Sequence, residues 1–535
     1  MKKHLKLPML LAVLVLTSCN ISWGGSTNSV NSNSTNSDNP SVVDSSTTSS
    51  LTPSIDTSDD TSMIPVSDGY EVVDPLYTTR ENMENQSWNT LNTTGEQKML
   101  IVPIKFSDGP SWTSTMLSNL NTVFFGESSS TSWRSVKTFF EESSYGKLTI
   151  TGEVMDVLNV NLTVARFNQN YNNNSYNYDP GDYIGELFYN KMSGQTNKLK
   201  EYDQDKDGFI DAVAFVYSNS YSSSNNSAYW AWCYSASFDA SINAPTVNNY
   251  MWASYEFMND SYGSVNAPKG LEAHTYIHET GHLFGLDDYY CYDDDTPWDC
   301  AGDRDMQAYN IGDHNIYSKL ALGWVNPYYV KDTCDITLRS SAKFGDAILI
   351  KDNWNKTIFD EYILIEYYTP EGLNEQDSKY NYDSRNKMYA GSGLRIYHVD
   401  SRLVRDAQMN EMTGRVSNGG FSSTYIENNT IIGPSNSVSY SYLTTAQNPE
   451  KTRLLHLIDS GNRNTLSAGL STSSSSSIKI DASRTLWTEG QTFSATSAYF
   501  ANGNDTFNDG TKVGYTVNVK ETKDGMITVH IAKTK

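Results

Sequence analysis

A chain of 535 residues with 39 basic and 62 acidic side chains is longer than one hydrophobic core usually organises, so two or three domains are expected. Its net charge of −23 leaves no excess of Lys and Arg of the kind that nucleic acid or an anionic membrane recognises, and excludes binding to either by charge.

Lys2, Lys3 and Lys6 precede an apolar stretch over residues 7–16. The stretch is about half of the ~20 residues that span a bilayer, so residues 1–18 are expected to be a signal peptide rather than a membrane helix. The sequence Leu16-Thr17-Ser18-Cys19 resembles the lipobox of bacterial lipoproteins. That implies cleavage before Cys19, diacylglycerol on its sulfur, and an exported protein at the outer face of the cell membrane, held there by lipid alone. Without residues 1–18 the chain keeps 36 basic against 62 acidic residues, net −26. Residues 19–65 are rich in Ser, Thr and Asn with few large apolar side chains, which predicts a disordered tether. Residues 66–94 read as a short pro-segment or a strap. Beyond Cys19 the cysteines are Cys233, Cys291, Cys300 and Cys334, which allow three pairings in an exported chain. Closing the short loop Cys291 to Cys300 is easiest and would leave Cys233 with Cys334.

Residues 95–325 are expected to form an α+β domain. It opens on the apolar run Met99 to Phe106, a strand whose Pro103 suggests an edge or a bulge. A helix follows over 132–144, with Ser132 as N-cap and Gly146 past its end. Then come a strand over 147–154, a helix over 182–192 and a strand over 212–217. Between the last two, Asp203, Asp205, Asp207 and Asp211 occupy positions 1, 3, 5 and 9 of an EF-hand-like loop with Gly208 at position 6, oxygen donors suited to calcium. Ala214 stands at position 12, so the EF-hand is incomplete and a structural role is expected. Residues 326–535 carry short β-like runs, such as Tyr362 to Tyr367, Leu394 to Tyr397 and Met526 to Ile531, and are expected to form a β-rich, sandwich-like region.

The informative segment is His278-Glu279-Thr280-Gly281-His282-Leu283-Phe284-Gly285-Leu286-Asp287-Asp288. On a helix, residues four apart lie one above the other, so His278 and His282 can meet one zinc ion. Gly285 can end the helix in the left-handed conformation, and Asp288 arrives as third ligand, leaving a fourth position open as in catalytic zinc. Glu279 is placed to reach a water at the metal and act as general base and acid. His274 lies ~12 Å along the axis from His282 at ~1.5 Å per residue, too far to share the ion.

The extended motif, with Asp in place of a third His, resembles the immune-inhibitor-A-like family of bacterial secreted metallopeptidases. The stretches Ser144-Tyr145-Gly146-Lys147-Leu148-Thr149, Met306 and Ser318 to Trp324 are also similar to it, as is the region 362–400 with Glu366 and His398-Val399-Asp400. The resemblance implies a zincin or metzincin-like catalytic domain, zinc, endopeptidase activity on protein or peptide substrates, and Met306 as an apolar floor beneath the metal. The chain departs from the family at Asp287, where Pro is common; that makes Asp287 the alternative to Asp288 as third ligand, although it is one residue out of register. Tyr309 is a candidate to stabilise the oxyanion, and His314 is expected to cap or pack. The chain is expected to be a monomer. The alternative is a non-catalytic zincin-fold lipoprotein acting as an adhesin or binding protein, which would have no need of Glu279.

Overall fold

The structure, a computed structural model, describes residues 69–75, 91–172, 180–221, 227–236, 238–259, 262–263, 266–286, 288–290, 301–382, 385–401, 426–427, 430–431, 454–461, 482–495, 505–507 and 509–534. All of them belong to one compact unit, Val66–Lys535. The expected signal peptide, Cys19 and the tether lie outside the described residues, as do Asp287, Cys291 and Cys300.

Strand β1 is Tyr70–Val72 and β2 is Gly95–Phe106, followed by helices α1, Ser114–Phe125, and α2, Val136–Ser143. Next come β3, Leu148–Val154, β4, Leu158–Val160, α3, Val164–Asn172, α4, Pro180–Met192, and α5, Thr196–Leu199. The strands β5, Phe209–Ile210, β6, Val213–Tyr217, β7, Trp232–Ser235, β8, Thr246–Val247, and β9, Asn249–Ser254, complete the first half of the unit. The main sheet here has the order β3-β2-β6-β9-β7, with β4 also on β2. Its ladders are parallel except β7 on β9, which is antiparallel and forms one edge. Helices and loops cover both faces of this sheet, so β6 is buried at every position and reads as a continuous apolar run.

Two sequence expectations need correction. Pro103 lies in β2 inside the sheet, opposite Val216, not at an edge. On its other side the pairing with β3 ends at Ile101 and that with β4 begins at Ile104, so the donor that proline lacks falls where no neighbour needs it. The α2 N-cap is Ser135, not Ser132: Ser135 Oγ accepts from Thr138 N in a capping box, while Ser132 Oγ donates to Leu271 O at 3.0 Å. A reciprocal cap satisfies two orphan groups and so outcompetes a serine placed one turn earlier.

Helix α6 is His274–Leu283, α7 is Met306–Tyr309 and α8 is Ile316–Ala321. After them come β10, Tyr328–Val330, β11, Cys334–Leu338, β12, Ile348–Ile350, β13, Glu361–Tyr368, α9, Leu373–Lys379, and β14, Gly393–Asp400. A second six-stranded sheet runs β1-β10-β12-β13-β14 and then Leu455–Leu457. A four-stranded sheet joins β11 to Met526–Lys533, Tyr515–Lys523 and Thr492–Ser494. The chain is therefore mixed α and β, with a β-rich second part. Strand β1, from the segment 66–94, pairs antiparallel with β10. Ala308, Ile316 and Leu320 share one core with Leu349, Leu364 and Tyr397, so the second sheet packs directly on the helices that follow α6.

Candidate metal centre

Helix α6 is buried on nearly its whole circumference, with Tyr276, Ile277 and Leu283 in the core, each such apolar side chain contributing roughly 1.5–3 kcal/mol on burial. Gly281 gives the close approach: a Cβ there would meet Gln307 Oε1 at 2.3 Å, and Gln307 Nε2 donates to the His278 carbonyl at 3.2 Å. The helix ends as its sequence predicts, with Gly285 at φ +86° and Gly285 N donating to His282 O at 2.9 Å.

The turn carries Asp288 back over the helix. His278 Nε2 lies 3.1 Å and His282 Nε2 3.3 Å from Asp288 Oδ1, and the two Nε2 atoms are 3.2 Å apart. Nδ1 of His278 donates to Met306 O at 2.8 Å and that of His282 to Leu286 O at 2.9 Å. A carbonyl only accepts, so both rings carry their proton on Nδ1 and present Nε2 as a lone pair. Three electron-rich atoms facing one another need a cation or a proton between them. Donors at ~2.0–2.1 Å from a tetrahedral centre stand about 3.3 Å apart, so two imidazole nitrogens and one carboxylate oxygen in this triangle fit zinc.

Between His282 and Asp288 the electrostatics run both ways. Burial opposes protonation of His282, but the Asp288 carboxylate outweighs it and pushes the ring up to about 10. Burial likewise opposes the charged form of Asp288, yet His282 and His278 hold its carboxyl far below the usual range. Burial raises the Glu279 carboxyl, against the pull of His278 and His282, and its Oε2 is buried with no hydrogen-bond partner among the described residues.

Two neighbours of this centre were not anticipated. Cys233, on edge strand β7, donates from Sγ to Glu279 O at 2.9 Å, and burial together with Glu279 holds its thiol well above the ordinary range. Of the three pairings open to the four cysteines, the one that joins Cys233 to Cys334 is not formed, since both are free thiols: Cys233 lies in the first sheet beside α6, and Cys334 stands opposite Ile531 in another. The Tyr290 phenol is hydrogen-bonded to Asp288; burial and the Asp288 and Glu279 carboxylates push it well above its usual range. Adjacency to Asp288 was the one signal for Tyr290, and Cys233 had none. Tyr309 is half-buried, its ring centroid 6.2 Å from that of Tyr290, with the Arg385 guanidinium 5.4 Å over its ring.

His274 is no part of the triangle. It is sandwiched between Trp133 and Tyr382, ring centroids 4.0 and 4.1 Å away, with Nδ1 2.8 Å from Glu272 and Nε2 3.2 Å from Asp377. Burial disfavours its charge, but these two carboxylates outweigh that and push it up to about 9. His314 is buried between Ser143 and Gln307, and the α8 cap is Asn315. The Met306 side chain lies in the same core as Ile277 and Leu283, and its carbonyl orients His278.

The acidic loop brings together Asp203, Asp205 and Asp211, helped by Lys206 at φ +64° and Gly208 at φ +93°. Asp207 is not in this group; its Oδ1 accepts from Phe209 N at 2.8 Å. Asp203 Oδ1 and Asp211 Oδ1 are buried without a hydrogen-bond partner among the described residues, and burial pushes the Asp211 carboxyl up to about 7. An all-oxygen set with two orphaned atoms fits calcium.

No protein-family model matches this chain, and no curated protein matches it significantly.

Proposed function

We propose that this chain is a zinc-dependent endopeptidase with a zincin-type catalytic part, tethered outside the cell by lipid on Cys19. The observation that carries the reading is the triangle of His278, His282 and Asp288 beside a buried Glu279 oxygen that has no partner among the described residues. His278, His282 and Asp288 would hold zinc, which when bound polarises a peptide carbonyl and acidifies a water toward pKa ~7. Glu279 takes the proton of the attacking water and delivers it to the leaving amine. Burial, which raises this carboxyl, moves its basicity toward neutral pH, where a general base is most effective. Strand β7 lies at the sheet edge against α6, so an extended substrate segment can add to it through backbone hydrogen bonds. Tyr309 is the candidate to donate to the oxyanion, since the single O–H of Tyr290 is committed to Asp288. Elemental analysis should find stoichiometric zinc in the purified wild type, lost in Asp288→Ala and His282→Ala; undiminished zinc in both variants would refute the ligand set.

We also propose calcium at Asp203, Asp205 and Asp211. The Asp211 carboxyl is raised above its value in an unfolded chain, so in the absence of a cation the folded state binds more protons and loses stability as pH rises from about 4 to 7. Calcium should remove that loss. The increase in melting temperature on adding calcium is expected to be larger at pH 7.5 than at pH 5, and a pH-independent increase would rule this site out.

A further inference from the structure

A cavity of about 770 Å³ is walled by Arg304, by residues 387–392 and by the segment around Arg484; Arg304, Lys387 and Arg484 line it together with uncharged residues, and no described acid does. In a chain where acids outnumber bases 62 to 39, three cations around one cavity demand a local cause. Arg304 is the telling member. It is only 8% exposed, its Nε donates to Lys387 O and its Nη1 to Gly302 O, both at 2.8 Å, and its guanidinium stands 5.0 Å over the Tyr389 ring. Among the described residues no carboxylate pairs with it. A buried guanidinium that no carboxylate among the described residues neutralises is a ready partner for an anion from outside. Lys387 and Arg484, both exposed, add positive charge at the rim of the same cavity.

We propose that this cavity is a subsite for acidic side chains of a polypeptide substrate. That the ligand is a polypeptide rests on the endopeptidase reading; that it is anionic rests on the cavity alone. The segment 385–392 links the two places: Arg385 lies over Tyr309 at one end, and residues 387–392 line the cavity at the other. Arg304 is two residues before Met306, whose carbonyl orients His278. A substrate strand leaving the metal centre past Tyr309 would meet these cations. Arg forms paired, charge-assisted hydrogen bonds to carboxylates that a neutral amide cannot match.

The test is fluorescence anisotropy of two labelled peptides of equal length, one rich in Glu and the other with Gln at those positions, binding to the full mature chain carrying Glu279→Gln. The Glu peptide should bind about 10- to 100-fold more tightly at low salt, with the preference shrinking as salt screens it. Lys387→Glu with Arg484→Glu, two changes at the exposed rim, should abolish the preference, and so should Arg304→Gln in protein shown to be folded by its thermal transition. Equal binding of the two peptides would overturn the proposal, as would an unchanged preference in the rim variant, or binding of a sulfated polysaccharide with no binding of the Glu peptide. Charge-selective binding without cleavage by the zinc-loaded wild type leaves the subsite standing and refutes the endopeptidase reading. Cleavage without charge selectivity does the reverse.

Discussion

Glu279→Gln should lower peptide cleavage by about 100- to 10,000-fold, the range that a positioned general base supplies, while zinc content and thermal stability stay at wild-type levels. The substitution keeps the shape of the side chain and removes only its basicity. Glu279 lies outside the triangle formed by His278, His282 and Asp288, so the amide leaves the donor set intact. Its Oε2 has no hydrogen bond to lose among the described residues, which is why stability should not fall. The measurement is a peptide-library digest of both proteins at matched zinc content. Wild-type rates in the variant would sink the mechanism, and loss of zinc along with activity would mean that Glu279 is a ligand.

Arg395→Met should destabilise the unit by about 3–5 kcal/mol, the usual result of stranding one member of a buried ion pair. Arg395 and Glu366 are each 1% exposed and 2.8 Å apart, on paired positions of β14 and β13. Removing the guanidinium leaves the Glu366 carboxylate without its counter-charge in the core. Replacing both, Arg395→Met with Glu366→Leu, should recover most of the loss, because an apolar pair of similar volume strands no charge. The effect should also reach the metal centre. Arg395 Nη1 donates to Arg304 O at 3.4 Å and Glu366 Oε1 accepts from Ile316 N at 3.4 Å, so the pair anchors both ends of the segment that carries Met306. Zinc affinity in the single variant is expected to fall by about 10- to 100-fold, as for other losses of support behind a ligand. Urea denaturation and competitive zinc titration would measure the two effects, and an unchanged denaturation midpoint would refute the first.

What could be read from the chain alone was what depends on neighbours in sequence. His278 and His282 meet because one helical turn separates them, Gly285 turns the chain because it lacks a Cβ, and Asp288 follows within reach of that turn. The strands 95–106 and 213–217 were legible as apolar runs for the same reason, and the four aspartates of the acidic loop as a spacing, although the fold draws in only Asp203, Asp205 and Asp211. The position of Pro103 was misread, since whether a missing donor matters depends on which partner strand faces it.

Tertiary structure alone decided what holds those residues in place. The Met306 carbonyl that sets the His278 tautomer is a backbone group, identical at every residue and without a signature in the sequence. Cys233 reaches Glu279 across 46 positions, His274 finds Asp377 across 103, and Arg304 shares its cavity with Arg484 from beyond the second sheet. A helix or a turn is fixed by hydrogen bonds that close within a few residues, so its geometry is encoded locally. The charge state of a buried histidine, the isolation of an arginine and the company of a thiol depend on which distant segments exclude water together, and that is settled only when the sheets and helices pack.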